Sequence, residues 1–135
     1  MLLAIDIGNT NISAAVFSAN HTALKHFDIA AKNYSRKKLK DKLSNLQITD
    51  TVICSVVPDL TRILSKDLLN LTAKKPYIIG KEVIVPLKSN YRPGQLGQDR
   101  LVNAYYASLF YRPPLIVIDS GTAITFDIIS KDKTY

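Results

Sequence analysis

A single cysteine, Cys54, occurs in the 135 residues, so no disulfide can form within the chain. Its place in the apolar run Thr51-Val52-Ile53-Cys54-Ser55-Val56-Val57 fits a buried strand residue. Long apolar runs are missing as well. The N-terminal one, Leu2-Leu3-Ala4-Ile5, is stopped by Asp6, no basic segment precedes it, and no later run reaches the length of a bilayer span. A disulfide scaffold and a membrane-spanning helix are excluded on these grounds; the expected compartment is the cytoplasm, without a membrane partner. Acidic residues are few, 11 against 18 Lys and Arg, for a net charge of +7. Much of the excess lies in Lys32, Arg36, Lys37, Lys38, Lys40 and Lys42, broken by Asp41. Such a run is usually a solvated helix face, so no nucleic-acid partner is expected from it.

What the chain does have is core material, with 47% hydrophobic and 21% charged residues. That composition predicts a soluble globular chain of one domain, or one domain plus the opening of a second. The first thirty residues read as a meander of strands: Leu2 to Ile5, Ile12 to Phe17 and His21 to Ile29. Leu39, Leu43 and Leu46 recur at helical spacing between lysines and predict an amphipathic helix over Ser35 to Leu46. Asp50 to Val57 is a buried strand, and Pro58 opens a helix carrying Leu60, Ile63, Leu64, Leu68 and Leu71. Short strands follow at Tyr77 to Ile79 and Val83 to Val85, then a loop from Lys88 to Gln98. A helix from Leu101 to Phe110 ends before Pro113-Pro114, and strands close the chain at Leu115 to Ile118 and Ala123 to Ile129. Together these predict a mixed α/β sheet with helices on its faces.

The segment Leu3-Ala4-Ile5-Asp6-Ile7-Gly8-Asn9-Thr10-Asn11-Ile12 returns as Ile116-Val117-Ile118-Asp119-Ser120-Gly121-Thr122-Ala123-Ile124. Asp6 aligns with Asp119 and Gly8 with Gly121; after a one-residue gap, Thr10 aligns with Thr122 and Ile12 with Ile124. A strand that delivers an Asp, a Gly-Thr turn and a second strand, used twice, indicates duplication. Either copy alone is an ordinary hairpin signal. The pair suits phosphate chemistry: a Gly turn lets backbone N–H groups approach phosphate oxygens, Thr or Asn adds donors, and Asp holds a metal ion or its water shell.

Four motifs taken in series resemble the type III pantothenate kinases, in the acetate kinase, sugar kinase, Hsp70 and actin superfamily. They are Asp6-Ile7-Gly8-Asn9-Thr10-Asn11-Ile12; Ser55-Val56-Val57-Pro58; Tyr91 followed by Gly97-Gln98-Asp99-Arg100; and Asp119-Ser120-Gly121-Thr122-Ala123-Ile124-Thr125-Phe126-Asp127. Where the family commonly carries Asn-Pro after the tyrosine, this chain has Arg92-Pro93-Gly94. The resemblance implies a ribonuclease H-like (actin-like ATPase) fold, a mixed sheet with flanking helices that is duplicated in the family. It implies ATP-dependent phosphorylation of pantothenate to 4'-phosphopantothenate, the first step of coenzyme A biosynthesis. Asp6, Ile7, Gly8, Asn9, Thr10, Asn11, Ile12 and Ser13 would line the ATP phosphates, with Asp6 toward Mg2+ and Thr122 also contacting ATP. Asp119 would bind a monovalent cation, K+ or NH4+. Tyr91, Gly97, Gln98, Asp99 and Arg100 would bind pantothenate, Arg100 being suited to its carboxylate, and Asp99 would be the catalytic base. A homodimer is implied; by their place at or near the helix, Tyr105, Tyr106 and Tyr111 fit packing or a subunit contact rather than stacking on bases.

By its position alone, Asp99 is also an N-cap or first-turn carboxylate of the helix that follows, and the two roles are compatible. An alternative function is a catalytically inactive regulatory or transcriptional relative of the same family. The presence of Asp6, Asp99, Arg100 and Asp119 together speaks for the enzyme. The repeat offset of 112 to 113 residues, from Thr10 and Thr122 or Asp6 and Asp119, makes one copy nearly the whole chain. A domain over residues 1–113 and the first hairpin of a second over 114–135 are therefore expected. So is a parent protein of roughly twice the size, without which this stretch is inactive.

Overall fold

Apolar residues alternate with small or polar ones along Leu2–Ile7 and Asn11–Phe17, and a Gly-Asn turn joins the two stretches. A hairpin results, with Leu3 opposite Val16 and Ile5 opposite Ala14. A computed structural model describes every residue except Pro93 and Thr122. The chain divides into two units, Met1–Val83 and Ile84–Tyr135. In the first, β1 (Leu2–Ile7), β2 (Asn11–Phe17) and β3 (Ala23–Ala30) form an antiparallel meander. Beyond β1, β4 (Asp50–Ser55) and then β5 (Tyr77–Ile78) are added in parallel, giving the order β3-β2-β1-β4-β5. The parallel pairs need crossovers, supplied by α1 (Arg36–Lys42) and α2 (Pro58–Thr72). This five-stranded mixed sheet with its helices bears out the expected ribonuclease H-like, actin-like ATPase class.

One face of the sheet makes the core. Leu3, Ile5, Ile7, Ile12, Ala14, Val16, Phe27, Ile29 and Ile53 pack with Leu39 and Leu43, and with Leu64 and Leu68 of α2. Removing each of these leucines from water contributes about 2 kcal/mol, so packing holds a helix as short as α1 rather than its propensity. Ser35 caps it, its hydroxyl accepting from the Lys38 N–H at 3.3 Å. Its lysines Lys37, Lys38, Lys40 and Lys42 are exposed, as a solvated face requires.

The helix predicted over Ser35 to Leu46 stops at Lys42. Leu43 is its C-cap and Asn45 takes a positive φ of 65°. Leu43 and Leu46 still reach the core, from a turn instead of a helix. In α2, Pro58 occupies the first turn and Ala73 ends the helix in the left-handed conformation. Leu64 and Leu68 are buried and Leu60 and Leu71 half-buried, whereas Ile63 faces outward. Cys54 is buried on β4, as expected. The strand predicted at Val83 to Val85 is only a single bridge between Ile79 and Val83.

In the second unit, α3 (Gln98–Phe110) packs against the antiparallel hairpin of β6 (Leu115–Ser120) and β7 (Ile124–Ile129). The units part between Val83 and Ile84, because α3 packs with the hairpin that follows it. The helix begins at Gln98 rather than Leu101, with Gly97 as N-cap. Among the described residues, no helix is long and apolar enough to cross a membrane.

Candidate functional site

Because Leu3, Ile5 and Ile7 turn into the core, the pleat puts Asp6 on the opposite face of β1, where it is exposed. Register sets Asp6 beside Ser13 on β2 and Cys54 on β4, and Ser13 beside Asp28 on β3. The Ser13 hydroxyl donates to Asp28 Oδ1 at 2.6 Å. In the turn, the Gly8 N–H donates to the Asn11 carbonyl at 2.9 Å. A Cβ at Gly8 would already touch that same oxygen, at 3.4 Å. Asn9, Thr10 and Asn11 are exposed, while the side chains of Ile7 and Ile12 belong to the core and leave only backbone groups for a ligand. The Ile7 carbonyl accepts from the Val56 N–H at 3.1 Å, which ties the Ser55-Val56-Val57-Pro58 segment to the end of β1. That segment is a side-chain-supported turn: Ser55 Oγ accepts from the Val57 N–H at 3.0 Å, and the Thr61 hydroxyl lies 2.6 Å from Ser55 Oγ.

The second copy of the turn repeats this design within its own unit. Asp119 stands opposite Thr125 as Asp6 stands opposite Ser13, so each Asp faces a hydroxyl residue across its hairpin. The Gly121 N–H donates to the Ala123 carbonyl at 3.1 Å, the counterpart of the Gly8 bond with one residue fewer in the turn. That is the one-residue gap in the sequence repeat. Asp119 is exposed; Thr122 lies outside the described residues.

At the start of α3, Asp99 sits in the first turn and its Oδ1 accepts from the Arg100 N–H at 2.8 Å. The first-turn role read from its position is therefore present. Arg100 reaches β7: its Nε donates to Asp127 Oδ1 at 2.7 Å, Nη2 pairs with the same oxygen, and Nη2 also donates to the Phe126 carbonyl at 3.2 Å. The Tyr135 hydroxyl donates to that oxygen too. The hydrogen bond that Arg100 donates to Asp127 is the main reason its guanidinium is held above its ordinary pKa. Burial first, and then the bond to Asp127, push the Tyr135 phenol up. A cavity of about 440 Å³ is lined by Asn90, Tyr91, Arg100, Phe126, Ile128 and Tyr135. Tyr91 meets Tyr135 edge-on, with ring centroids 5.8 Å apart.

The structure thus brings Tyr91 and Arg100 to one cavity with Asp99 next in the chain, and Gly97 and Gln98 as the N-cap and first residue of the helix beneath them. Asp127 and Tyr135 had no role in the motif reading. The available signal was a charged residue inside the apolar run Ile124 to Ile129. For cations, the described residues contain no group of three or more His, Cys, Asp or Glu able to hold a metal. The candidates Asp6 and Asp119 are single carboxylates beside Gly turns. Mg2+ fits such a donor set, since it takes one or two carboxylates and completes its shell with water and phosphate.

Comparison with known proteins agrees with the motif order. The family model described as type III pantothenate kinase matches residues 2–135. The chain is 37% identical over 147 residues to the type III pantothenate kinase of a Sulfurihydrogenibium species, aligned over 100% of this chain and 58% of the relative. It is 36% identical to the protein of that name in Persephonella marina, and 36% to that of Moorella thermoacetica, in each case over 100% of this chain and 57% of the relative. The chain therefore spans a little over half the length of these curated relatives. With the repeated hairpin, the sheet order and the family match in agreement, this chain belongs to the type III pantothenate kinase family.

Proposed function

We propose that this chain supplies the phosphate turns and the acceptor pocket of an ATP-dependent kinase that converts pantothenate to 4'-phosphopantothenate in coenzyme A biosynthesis. The observation that carries this reading is the cavity shared by Tyr91 and Arg100 beside Asp99. Its lining combines a guanidinium for a carboxylate with phenol and amide groups for polar atoms. Pantothenate has both a carboxylate and hydroxyl and amide groups to meet them.

Asp99 accepts a hydrogen bond from the substrate's primary hydroxyl and aims its oxygen at the γ-phosphorus of ATP. In a loose transition state the bond to the leaving ADP is largely broken before the proton departs, so orientation matters more than basicity. The backbone N–H groups from Gly8 to Ser13, with Asn9, Thr10 and Asn11 side chains, receive phosphate oxygens; Thr122 does so from the second turn. Asp6 takes Mg2+ and Asp119 takes K+ or NH4+; bound there, these cations neutralise charge on the phosphates.

The relatives' greater length supports a duplicated protein whose remaining part completes the nucleotide cleft; the family resemblance adds that it acts as a homodimer. The coexistence of Asp6, Asp99, Arg100 and Asp119 favours the enzyme over a regulatory relative. Purified complete protein is expected to form ADP from ATP only when pantothenate and a monovalent cation are present. A folded protein without pantothenate-dependent ADP formation would shift the reading to the regulatory one.

A further inference from the structure

Among the described residues, Asp127 is the one charged side chain that is fully buried, at 1% exposure. A residue chosen for packing alone would be apolar there, as Ile129 is two positions on, because a buried carboxylate is costly unless paired. Its pairing is lopsided. Oδ1 takes Nε and Nη2 of Arg100 and the Tyr135 hydroxyl, whereas Oδ2 has no partner among the described residues. Arg100 is thereby gripped on one side of its fork and tied by Nη2 to the Phe126 carbonyl, while Nη1 makes no hydrogen bond among the described residues. The same Arg100 lines the cavity, with 36% of its side chain exposed.

We propose that Asp127 is a positioning residue for substrate binding: it locks the Arg100 guanidinium in one orientation on the cavity wall, so that the unoccupied side of the fork meets the substrate carboxylate. Tyr135 steadies the carboxylate that does the gripping. A guanidinium held in advance loses less freedom when a ligand arrives, and its planar fork rewards alignment. The ion pair lowers the net positive charge in the cavity, so recognition depends on that alignment rather than on bulk charge. This proposal rests on the pantothenate reading of the cavity.

The test compares pantothenate with its alcohol analogue, in which a hydroxymethyl group replaces the carboxylate, using the complete protein. Pantothenate is measured as substrate and the analogue as competitor. In Asp127→Asn, affinity for pantothenate is expected to fall about tenfold or more, while affinity for the analogue changes less than about twofold. The KM for ATP should stay near that of the unaltered protein. Equal losses for both ligands, as a merely structural role would give, overturn the proposal, and so does no loss. If thermal unfolding shows that Asp127→Asn does not fold, Arg100→Lys takes its place, because it keeps a cation opposite Asp127 but not the fork. The same selective loss is expected, and an equal loss or none overturns the proposal. If the unaltered protein shows no pantothenate-dependent turnover, the underlying reading fails and this proposal falls with it. Turnover without the selective loss overturns the positioning role alone.

Discussion

Leu3 and Ile116 hold the same place in two hairpins of one design, yet Leu3 is 0% exposed and Ile116 is 61% exposed. The pattern continues along the repeat: Ile5 and Ile12 are buried in the first copy, and their counterparts Ile118 and Ile124 are exposed in the second. In the first copy this face packs on α1 and α2. In the second, α3 takes the other face, the one that carries Asp127 and Ile129, and Ile116, Ile118, Ile124, Phe126 and Ile128 form a bare apolar surface.

That surface predicts how residues 1–135 behave by themselves. Apolar patches of this kind promote association. The isolated chain should bind a hydrophobic dye or self-associate, and replacing Ile118 and Phe126 with threonine should reduce both. It should also lack pantothenate-dependent kinase activity. Robust ADP formation from this stretch alone would sink the view that the nucleotide cleft needs the rest of a duplicated protein.

Asp99→Asn in the complete protein should lower kcat by roughly 10²- to 10⁴-fold, the range for loss of a positioned acid–base group. The KM for ATP should change little, because the phosphate turns are left intact. Steady-state kinetics with each substrate varied would decide it, and near-normal turnover would remove Asp99 from the chemistry.

Tyr34 supplies a pH-dependent contribution to the first unit. Its hydroxyl donates to Asp67 Oδ2 at 2.9 Å, and burial, followed by that bond, raises the phenol above its ordinary value. A raised folded pKa means that the stabilisation is complete below the unfolded phenol value of about 10. It is then lost as pH rises through the folded value. Tyr34→Phe should cost about 1 kcal/mol near neutrality, and the gap between the two proteins in thermal unfolding should narrow only on the alkaline side. A gap that narrowed towards acid pH instead would assign it to another group.

The Ser55–Thr61 contact is open to a separate measurement. The Thr61 hydroxyl, nearly buried, lies 2.6 Å from Ser55 Oγ and 2.8 Å from the Val57 carbonyl. Thr61→Val keeps the shape and removes the donor, so urea unfolding should show a loss of about 1 to 2 kcal/mol. No change in midpoint would mean that the turn before α2 stands on Pro58 and backbone bonds alone.

Much of the candidate site was legible in the residues because it is local. The first hairpin, the Gly turn and the outward Asp6 follow from a two-residue period and from Gly and Asn in the turn. Asp99 in the first turn of a helix follows from the apolar spacing after it. The role of Asp127 was not legible, since it arises from a partner on another element, 27 positions away in sequence. The orientation of β7 was hidden for the same reason. Ile124, Phe126 and Ile128 look like its core face by hydrophobicity, but α3 and Arg100 take the side of Asp127.

By itself, the order of residues determined most of the element types, though not the strand expected at Val83 to Val85, together with the repeated strand-Asp-Gly turn and the family, because each is written in local periodicity and in motifs read along the chain. The extent of α1, the outward side of Ile63, the alliance of α3 with the second hairpin and the grip of Asp127 on Arg100 were decided only in the tertiary structure. Each depends on which element covers which face, and that is settled by packing between segments far apart in sequence.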